Sequence, residues 1–310
     1  MRAKHLVSPV DLNRADIEEL FAACAILKER LQRGIYEQHL TGKTLVAVFE
    51  KASLRTRLSF EIAMHQLGGQ ALSVTQAEIQ LGQRESVPDA ARAMGRYADI
   101  LAVRTYAQQT VEDFARYAGV PVVNALTDEH HPCQALADLL TMKERFGRLT
   151  GLKVCFVGDG NNVARSLAWF CAKLDVQFVL AAPEDFGFKE EFLKAVRADI
   201  GTERVPIAEV RDPAEGVRDA QVIYTDVWTS MGQEHEAALR RARLRDYQVN
   251  AALLSRAPRE AVVMHCLPAK RGEEITDEVI DGPQSIVFDQ AENRLHLQKG
   301  LILLLLGGSL

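Results

Sequence analysis

The stretch LVAVFEKASLRTRLSFEIAM, residues 45–64, sets both the fold and the first chemical expectation. Leu45-Val46-Ala47-Val48-Phe49 is an apolar, β-branched run that reads as a buried strand. Leu58-Ser59-Phe60-Glu61-Ile62-Ala63-Met64 reads as a helix. Between them Lys51, Ser53, Arg55, Thr56 and Arg57 fall within seven residues. A strand that turns through hydroxyls into a helix aims backbone N–H groups and the positive dipole end at one spot. Arginine forks and hydroxyl donors at that spot complement a phosphate dianion. The plainer reading is a solvated basic helix start with Ser53 as N-cap. The stretch has no G-x-x-x-x-G-K-[ST] pattern, so a P-loop is not indicated.

The same strand-then-helix unit recurs outward from this segment. Apolar residues at Ile17, Leu20, Phe21, Cys24 and Leu27 give Asp11 to Arg30 a helical period. Strands are expected at 71–74, at 100–103 ending on Arg104, and at 121–125. Pro132 to Phe146 reads as a long helix closed by Gly147, and the domain boundary belongs within this connector. Strands then resume at 153–157, 178–181, 222–225 and 262–264. The alternation predicts an α/β protein of two doubly wound domains with parallel sheets, joined by interdomain helices. Polar residues collect after the strands, at 158–162, at Asp226 and at 265–266. In open parallel sheets that is where ligands bind.

Composition excludes several classes. The chain has 310 residues, 47% of them hydrophobic, enough for two domain cores. A net charge of −5 leaves no basic surplus for a nucleic-acid backbone. Five scattered cysteines with no C-x-x-C pair imply neither a zinc site nor a disulfide framework, and point to a reducing cytoplasm. Residues 1–5 lead into no apolar stretch of signal length. The run Leu301-Ile302-Leu303-Leu304-Leu305-Leu306 falls short of the ~20 residues of a membrane span. It is expected to pack as a terminal helix on a core or on a partner subunit.

Four further segments carry polar chemistry. Gly158-Asp159-Gly160 suggests a dinucleotide turn, but Val163 stands where the third glycine of G-x-G-x-x-G belongs. A turn aiming carboxamides at a polar substrate fits better, against the alternative that Asn161 and Asn162 satisfy local backbone only. His131-Pro132-Cys133-Gln134 opens the connector helix, with His131 at the cap and Gln134 able to donate to a carbonyl. Asp226-Val227-Trp228-Thr229-Ser230-Met231-Gly232 offers a carboxylate for an ammonium, and a hydroxyl or amides for a carboxylate, a set suited to an amino acid. Cys266, after the strand ending near His265, is a nucleophile, a proton acceptor or a packed thiol.

Taken in order, FEKASLRTRLSFE (49–61), HPCQALADLLT (131–141), VGDGNN (157–162), DVWTSMGQE (226–234), MHCLPAKRGEEITDEV (264–279) and FDQAENRLHLQK (288–299) resemble the aspartate/ornithine carbamoyltransferase family. The Cys266 of His-Cys-Leu-Pro and the Ser230-Met231-Gly232 loop resemble its ornithine branch. Two departures stand out: Leu54 replaces the usual threonine, and Lys270 the usual histidine. The resemblance implies transfer of the carbamoyl group of carbamoyl phosphate to the δ-amino group of L-ornithine, giving citrulline and phosphate in arginine metabolism, with no metal or organic cofactor. A sister enzyme using putrescine or another amine is the alternative.

The resemblance also implies a carbamoyl-phosphate domain over 1–133, with a helix from 292–310 returning to it, and an ornithine domain over 134–291. Ser53, the Leu54 amide, Arg55 and Thr56 are then expected to hold phosphate, with Arg104 and His131 on the carbamoyl oxygen. Gln134 with the Cys266-Leu267 backbone would orient the amino group, Arg294 would add positive charge, and Gln80 would reach over from a neighbouring subunit of a homotrimer. Asn162, Asp226, Ser230 and Met231 are expected on ornithine, with Asp226 and Cys266 handling protons.

Overall fold

The structure is a computed structural model that describes residues 1–36, 38–308 and 310. The chain forms two compact units, one of Met1–Ala137 with Glu292–Leu310 and one of Asp138–Ala291. The first contains α1 (Arg14–Gln32), β1 (Thr44–Phe49), α2 (Leu54–Gln66), β2 (Gln70–Thr75), α3 (Gln76–Ile79), α4 (Val87–Tyr97), β3 (Ile100–Arg104), α5 (Gln108–Tyr117) and β4 (Val122–Leu126). The helix α6 (Pro132–Phe146) runs on into the second unit. There follow β5 (Lys153–Val157), α7 (Asn162–Lys173), β6 (Gln177–Ala181), α8 (Glu190–Ile200), β7 (Ile207–Val210) and α9 (Pro213–Val217). The unit continues with β8 (Val222–Thr225), α10 (Ala237–Leu244), α11 (Ala251–Leu254), β9 (Val262–His265) and α12 (Asp277–Ile280). The helix α13 (Val287–Leu305) carries the chain back to the first unit.

Both sheets are wholly parallel, and their inner strands β1, β3, β5, β6 and β8 read as continuous apolar runs because they are largely buried. The first has the order β2-β1-β3-β4 and the second β7-β6-β5-β8-β9. Val48, Leu101, Val103, Phe114 and Val122 are fully buried in the core of the first unit. Val157, Ile223, Val263 and Ile275 are fully buried in that of the second. The α/β expectation holds, with one strand unforeseen. β7 reads Ile207-Ala208-Glu209-Val210 and lies at a sheet edge with none of its residues buried, so it has no apolar run to announce it.

Strand order locates the sites. In the first sheet the winding reverses between β1 and β3, and in the second between β5 and β8. Crevices open at the carboxyl ends of the strands at such switch points. Register places Phe49 beside Arg104 in one sheet and Val157 beside Thr225, itself beside His265, in the other. A buried polar chain braces the second of these ends. Asp138 of α6 accepts hydrogen bonds from the Tyr224 hydroxyl at 3.0 Å and from Gln290 Nε2 of α13 at 2.7 Å. Gln290 Oε1 in turn accepts from the His265 amide at 2.9 Å.

Candidate functional site

In the first unit, β1 ends at Phe49 and α2 begins at Leu54. Ser53 is the N-cap: its side chain accepts from the Thr56 amide at 3.3 Å. The plainer reading of Ser53 is therefore correct as local structure, and the remaining first-turn amides of α2 lack intrahelical acceptors, as at any helix start. Thr56 is buried and Arg55 half-buried. Arg57 is exposed and paired with Glu61 at 3.1 Å, one turn on. Lys51 is buried, but it pairs with Asp128 and lies 4.2 Å from the centre of the Tyr106 ring. Of the cluster read from the sequence, Ser53, Arg55 and Thr56 stay together at the helix start. Leu54 leaves its side chain 71% exposed, so replacing threonine there removes a hydroxyl from the surface and leaves the amide in place.

Arg294 joins this helix start from α13. Its guanidinium donates to Thr56 Oγ1 at 3.2 Å and to Gln134 Oε1 at 2.5 Å. Gln134 and His131 are buried at the start of α6, where Pro132 at the first helical position stops no helix bond. Burial, with Arg294 and Arg104 as positive neighbours, holds His131 well below its ordinary pKa. The ring is neutral at pH 7 and serves as a hydrogen-bonding group rather than an imidazolium. Cys133, buried beside it, is pushed up to about 12 and is inert.

The second unit gathers a different set. Asp226 follows β8 and is fixed by three donors. The Asn161 carboxamide donates at 2.8 Å, the Val227 amide at 2.8 Å, and the Cys266 thiol at 3.0 Å. Asn161 is held in turn because its Oδ1 caps α7, accepting from the Val163 and Ala164 amides, each at 3.0 Å. Asn162, the residue expected to face the substrate, is the first residue of α7, and its carbonyl accepts from Ser166. Further along, the Ser230 amide donates to Gln233 and the Gly232 amide to Glu234, while Met231 is exposed. Among the described cysteines only Cys266 is not buried.

Donor atoms of Asp226, His265 and Cys266 lie within 4.8 Å of one another, a spacing that could suit a metal ion. The imidazole does not fit that role. The Leu267 amide donates to His265 Nδ1 at 2.9 Å, which places the ring proton on Nε2, 3.0 Å from Glu274 Oε1. Both ring nitrogens are thus occupied. Glu274 is fully buried and also accepts from the Lys270 amide at 2.6 Å. These bonds hold Leu267 in a left-handed conformation, at φ 57°. The backbone at position 270 does this work, so a lysine serves there as well as a histidine.

A phosphate-suited helix start in one unit and an acid–thiol–carboxamide group in the other coincide with two family matches. A family model described as the aspartate/ornithine carbamoyltransferase carbamoyl-P binding domain matches residues 4–144. That of the Asp/Orn binding domain matches residues 150–305. The chain belongs to the aspartate/ornithine carbamoyltransferase family. Among relatives of this carbamoyltransferase, the ornithine carbamoyltransferase of Gloeobacter violaceus is 52% identical over 305 residues, covering 98% of this chain and 96% of its own. That of Methanoculleus marisnigri is 48% identical, covering 99% of this chain and 98% of its own. The solved ornithine carbamoyltransferase of Pyrococcus furiosus superposes with a TM-score of 0.93 at 46% identity, covering 99% of this chain and 98% of its own. That of Thermus thermophilus gives 0.88 at 40%, covering 99% and 100%.

Within this carbamoyltransferase the structure brings together Ser53, Thr56, Gln134 and Arg294 in the first unit, and both Arg294 and Arg104 act as positive neighbours of His131. It brings together Asp226 and Cys266 in the second. Gln80 is exposed and left-handed at φ 46°, and its side-chain amide donates within its own turn, to Ala77 O. The bond from Asn161 to Asp226 is not foreseen from the sequence, in which Asn161 reads only as part of a carboxamide turn. The signal was present in its place as the last residue before a helix, where asparagine is a favoured cap.

Proposed function

We propose that this carbamoyltransferase transfers the carbamoyl group of carbamoyl phosphate to the δ-amino group of L-ornithine, releasing L-citrulline and phosphate. The observation that carries this reading is the 3.0 Å contact between the Cys266 thiol and Asp226, with the carboxylate further fixed by Asn161. It supplies a fixed negative group and a thiol beside it, which suit an amine that must be held and then lose a proton. The amine attacks as the neutral base. A C–N bond forms, the bond from the carbamoyl carbon to the phosphate oxygen breaks, and phosphate leaves with that electron pair.

In this reading Ser53, the Leu54 amide, Arg55 and Thr56 hold the phosphate, whose charge grows as it leaves. Arg104 and His131 act on the carbamoyl oxygen, which becomes an oxyanion during attack. A neutral His131 donates one hydrogen bond there, and Arg104 supplies the charge. Arg294 fixes the Gln134 carboxamide by its oxygen, which orients that amide toward a substrate. Asn162, Ser230 and Met231 belong with the amino-acid end, and Asn161 joins them through Asp226. Asp226 and Cys266 take the proton released by the amine.

The same reading includes a cytoplasmic enzyme working as a cyclic homotrimer or a multiple of one. Support for self-association comes from α2, where Leu54, Leu58 and Ile62 are exposed at helical spacing, with Leu72 exposed on the edge strand β2. Gln80 would then complete the site of a neighbouring subunit. The deciding experiment is a citrulline assay of the purified protein with ornithine and putrescine as competing acceptors. Preference for ornithine by two or more orders of magnitude in kcat/KM is expected. Comparable use of putrescine would overturn the amino-acid assignment.

A further inference from the structure

Two loops form the acceptor side of the second unit, and each has some polar anchors of its own: Asn161 caps α7 in one, and the Ser230 amide donates to Gln233 in the other. The 158–162 loop follows β5, and the 226–234 loop follows β8. Within the second loop, Trp228 Nε1 and Thr229 Oγ1 are buried and have no hydrogen-bond partner among the described residues. A further bond reaches this loop from outside it, beside those that Asn161 and Cys266 donate to Asp226. Arg240, on α10, is 8% exposed and donates from Nε to the Trp228 carbonyl at 2.5 Å. The other arm of the same guanidinium donates to Asp159 in the first loop. Its plane lies 4.9 Å from the centre of the Phe186 ring, and Phe186 O accepts the Gly160 amide at 2.8 Å. Glu236, one turn before, adds a third contact at 3.3 Å.

Burial raises Asp159 to about 6, against the pull of Arg240 and Arg165, so the carboxylate depends on its arginine partner. A guanidinium is suited to this place, since one planar group donates in two directions at once. Asn161 and Asp226 flank the two anchored positions and carry the contact between the loops.

We propose that Arg240 is a positioning residue for the acceptor: by tying Asp159 to the Trp228 carbonyl it sets the spacing of the two loops that present Asn161 and Asp226. The proposal rests on the reading of these loops as the ornithine side. It makes α10 part of acceptor recognition without touching the reacting atoms.

The test is steady-state kinetics with ornithine and carbamoyl phosphate varied in turn, together with calorimetric titration of carbamoyl phosphate. The proteins are the parent, Arg240→Met, Arg240→Lys, Asp159→Asn and the double variant Asp159→Asn/Arg240→Met. Arg240→Met is expected to raise the ornithine KM about 10- to 100-fold, the size of losing charge-assisted bonds. Carbamoyl-phosphate affinity should stay within about twofold. Arg240→Lys keeps charge but not the fork, and should recover only part of the loss. The double variant should be no worse than Arg240→Met, because both substitutions break one bridge.

An ornithine KM within twofold of the parent in the Arg240 variants would overturn the proposal. So would a parallel loss of carbamoyl-phosphate affinity, or additive losses in the double variant. Should Arg240→Met fail to fold, Arg240→Lys and Asp159→Asn decide by the same criteria. Asp226→Asn serves as the reference. If it too leaves the ornithine KM unchanged, the acceptor assignment falls and this proposal with it. If it raises that KM while the Arg240 variants do not, this proposal alone falls.

Discussion

Replacing Asp226 by asparagine keeps the shape of the side chain and removes its charge. In the structure Asp226 accepts from Asn161 Nδ2, the Val227 amide and the Cys266 thiol. An asparagine cannot accept from all three, since one of its two terminal atoms is now a donor. Asn161 cannot turn to compensate, because its oxygen caps α7 through two amides. One donor therefore faces another, at about 1–3 kcal/mol for a buried unsatisfied group. Loss of the fixed negative charge opposite an ammonium, or opposite a proton in transfer, adds about 2–3 kcal/mol. The first term lowers stability; the second corresponds to a fall of roughly 30- to 150-fold in kcat/KM for ornithine. Carbamoyl-phosphate affinity, read by calorimetry, should change little.

The swapped double variant Asn161→Asp/Asp226→Asn separates geometry from charge. Aspartate caps a helix as well as asparagine and can accept from the new carboxamide, so stability should return. Activity should not, because the charge has moved. A single variant within tenfold of the parent, or a swapped variant with full activity, would refute this account of Asp226.

Arg55→Ala should lower kcat/KM by ~30- to 1000-fold with the fold intact by circular dichroism, as removal of one charge-assisted phosphate contact costs about 2–4 kcal/mol of transition-state stabilisation; near-parent turnover would remove Arg55 from the site. His131 is held neutral below its ordinary value of 6.5, so between that value and its folded pKa the unfolded chain binds more protons than the native one. Stability should therefore fall as pH drops below 6.5, and His131→Gln should flatten that part of a Tm-against-pH curve. Gln80→Ala and Arg55→Ala subunits, each impaired alone, should gain activity after mild dissociation and joint reassembly; mixed oligomers of confirmed mass with no gain over either variant would count against a site shared through Gln80.

Legibility in the sequence followed the range of the interaction. β1, the Ser53 cap and α2 are adjacent in the chain, and their apolar run, hydroxyl and helical period were all readable there. The start of α6 was equally plain, because Pro132 marks a first helical position whatever lies around it. β7 was not, being an edge strand that needs no continuous apolar run. Lys51 looked like one of a phosphate-binding set, but its partner Asp128 stands 77 residues away and no local pattern reveals it. The pair Asn161-Asn162 reads as a unit, but which of the two caps α7 is not legible, since cap and first turn differ only in backbone angles. Arg240 sits in Leu239-Arg240-Arg241-Ala242-Arg243, which reads as the solvated face of a basic helix. Only the fold distinguishes the one arginine turned inward.

The split of the first unit across both ends of the chain bears on the order in which the protein can be made. The second unit is one continuous stretch, Asp138–Ala291, and every strand of its sheet lies within it. The first unit lacks part of its interior until Glu292–Leu310 has emerged. Until then Lys28 has no Asn293, Thr56 has no Arg294, and Gln66 has no Lys299. Leu297, Leu301, Ile302 and Leu303, all fully buried in the finished fold, arrive last as well. On the ribosome the chain that starts first must finish second. A free polypeptide ending near residue 291 would hold every strand of the C-terminal sheet and an N-terminal half still lacking its final helix. Truncations that remove this last helix should injure the phosphate side of the enzyme rather than the acceptor side.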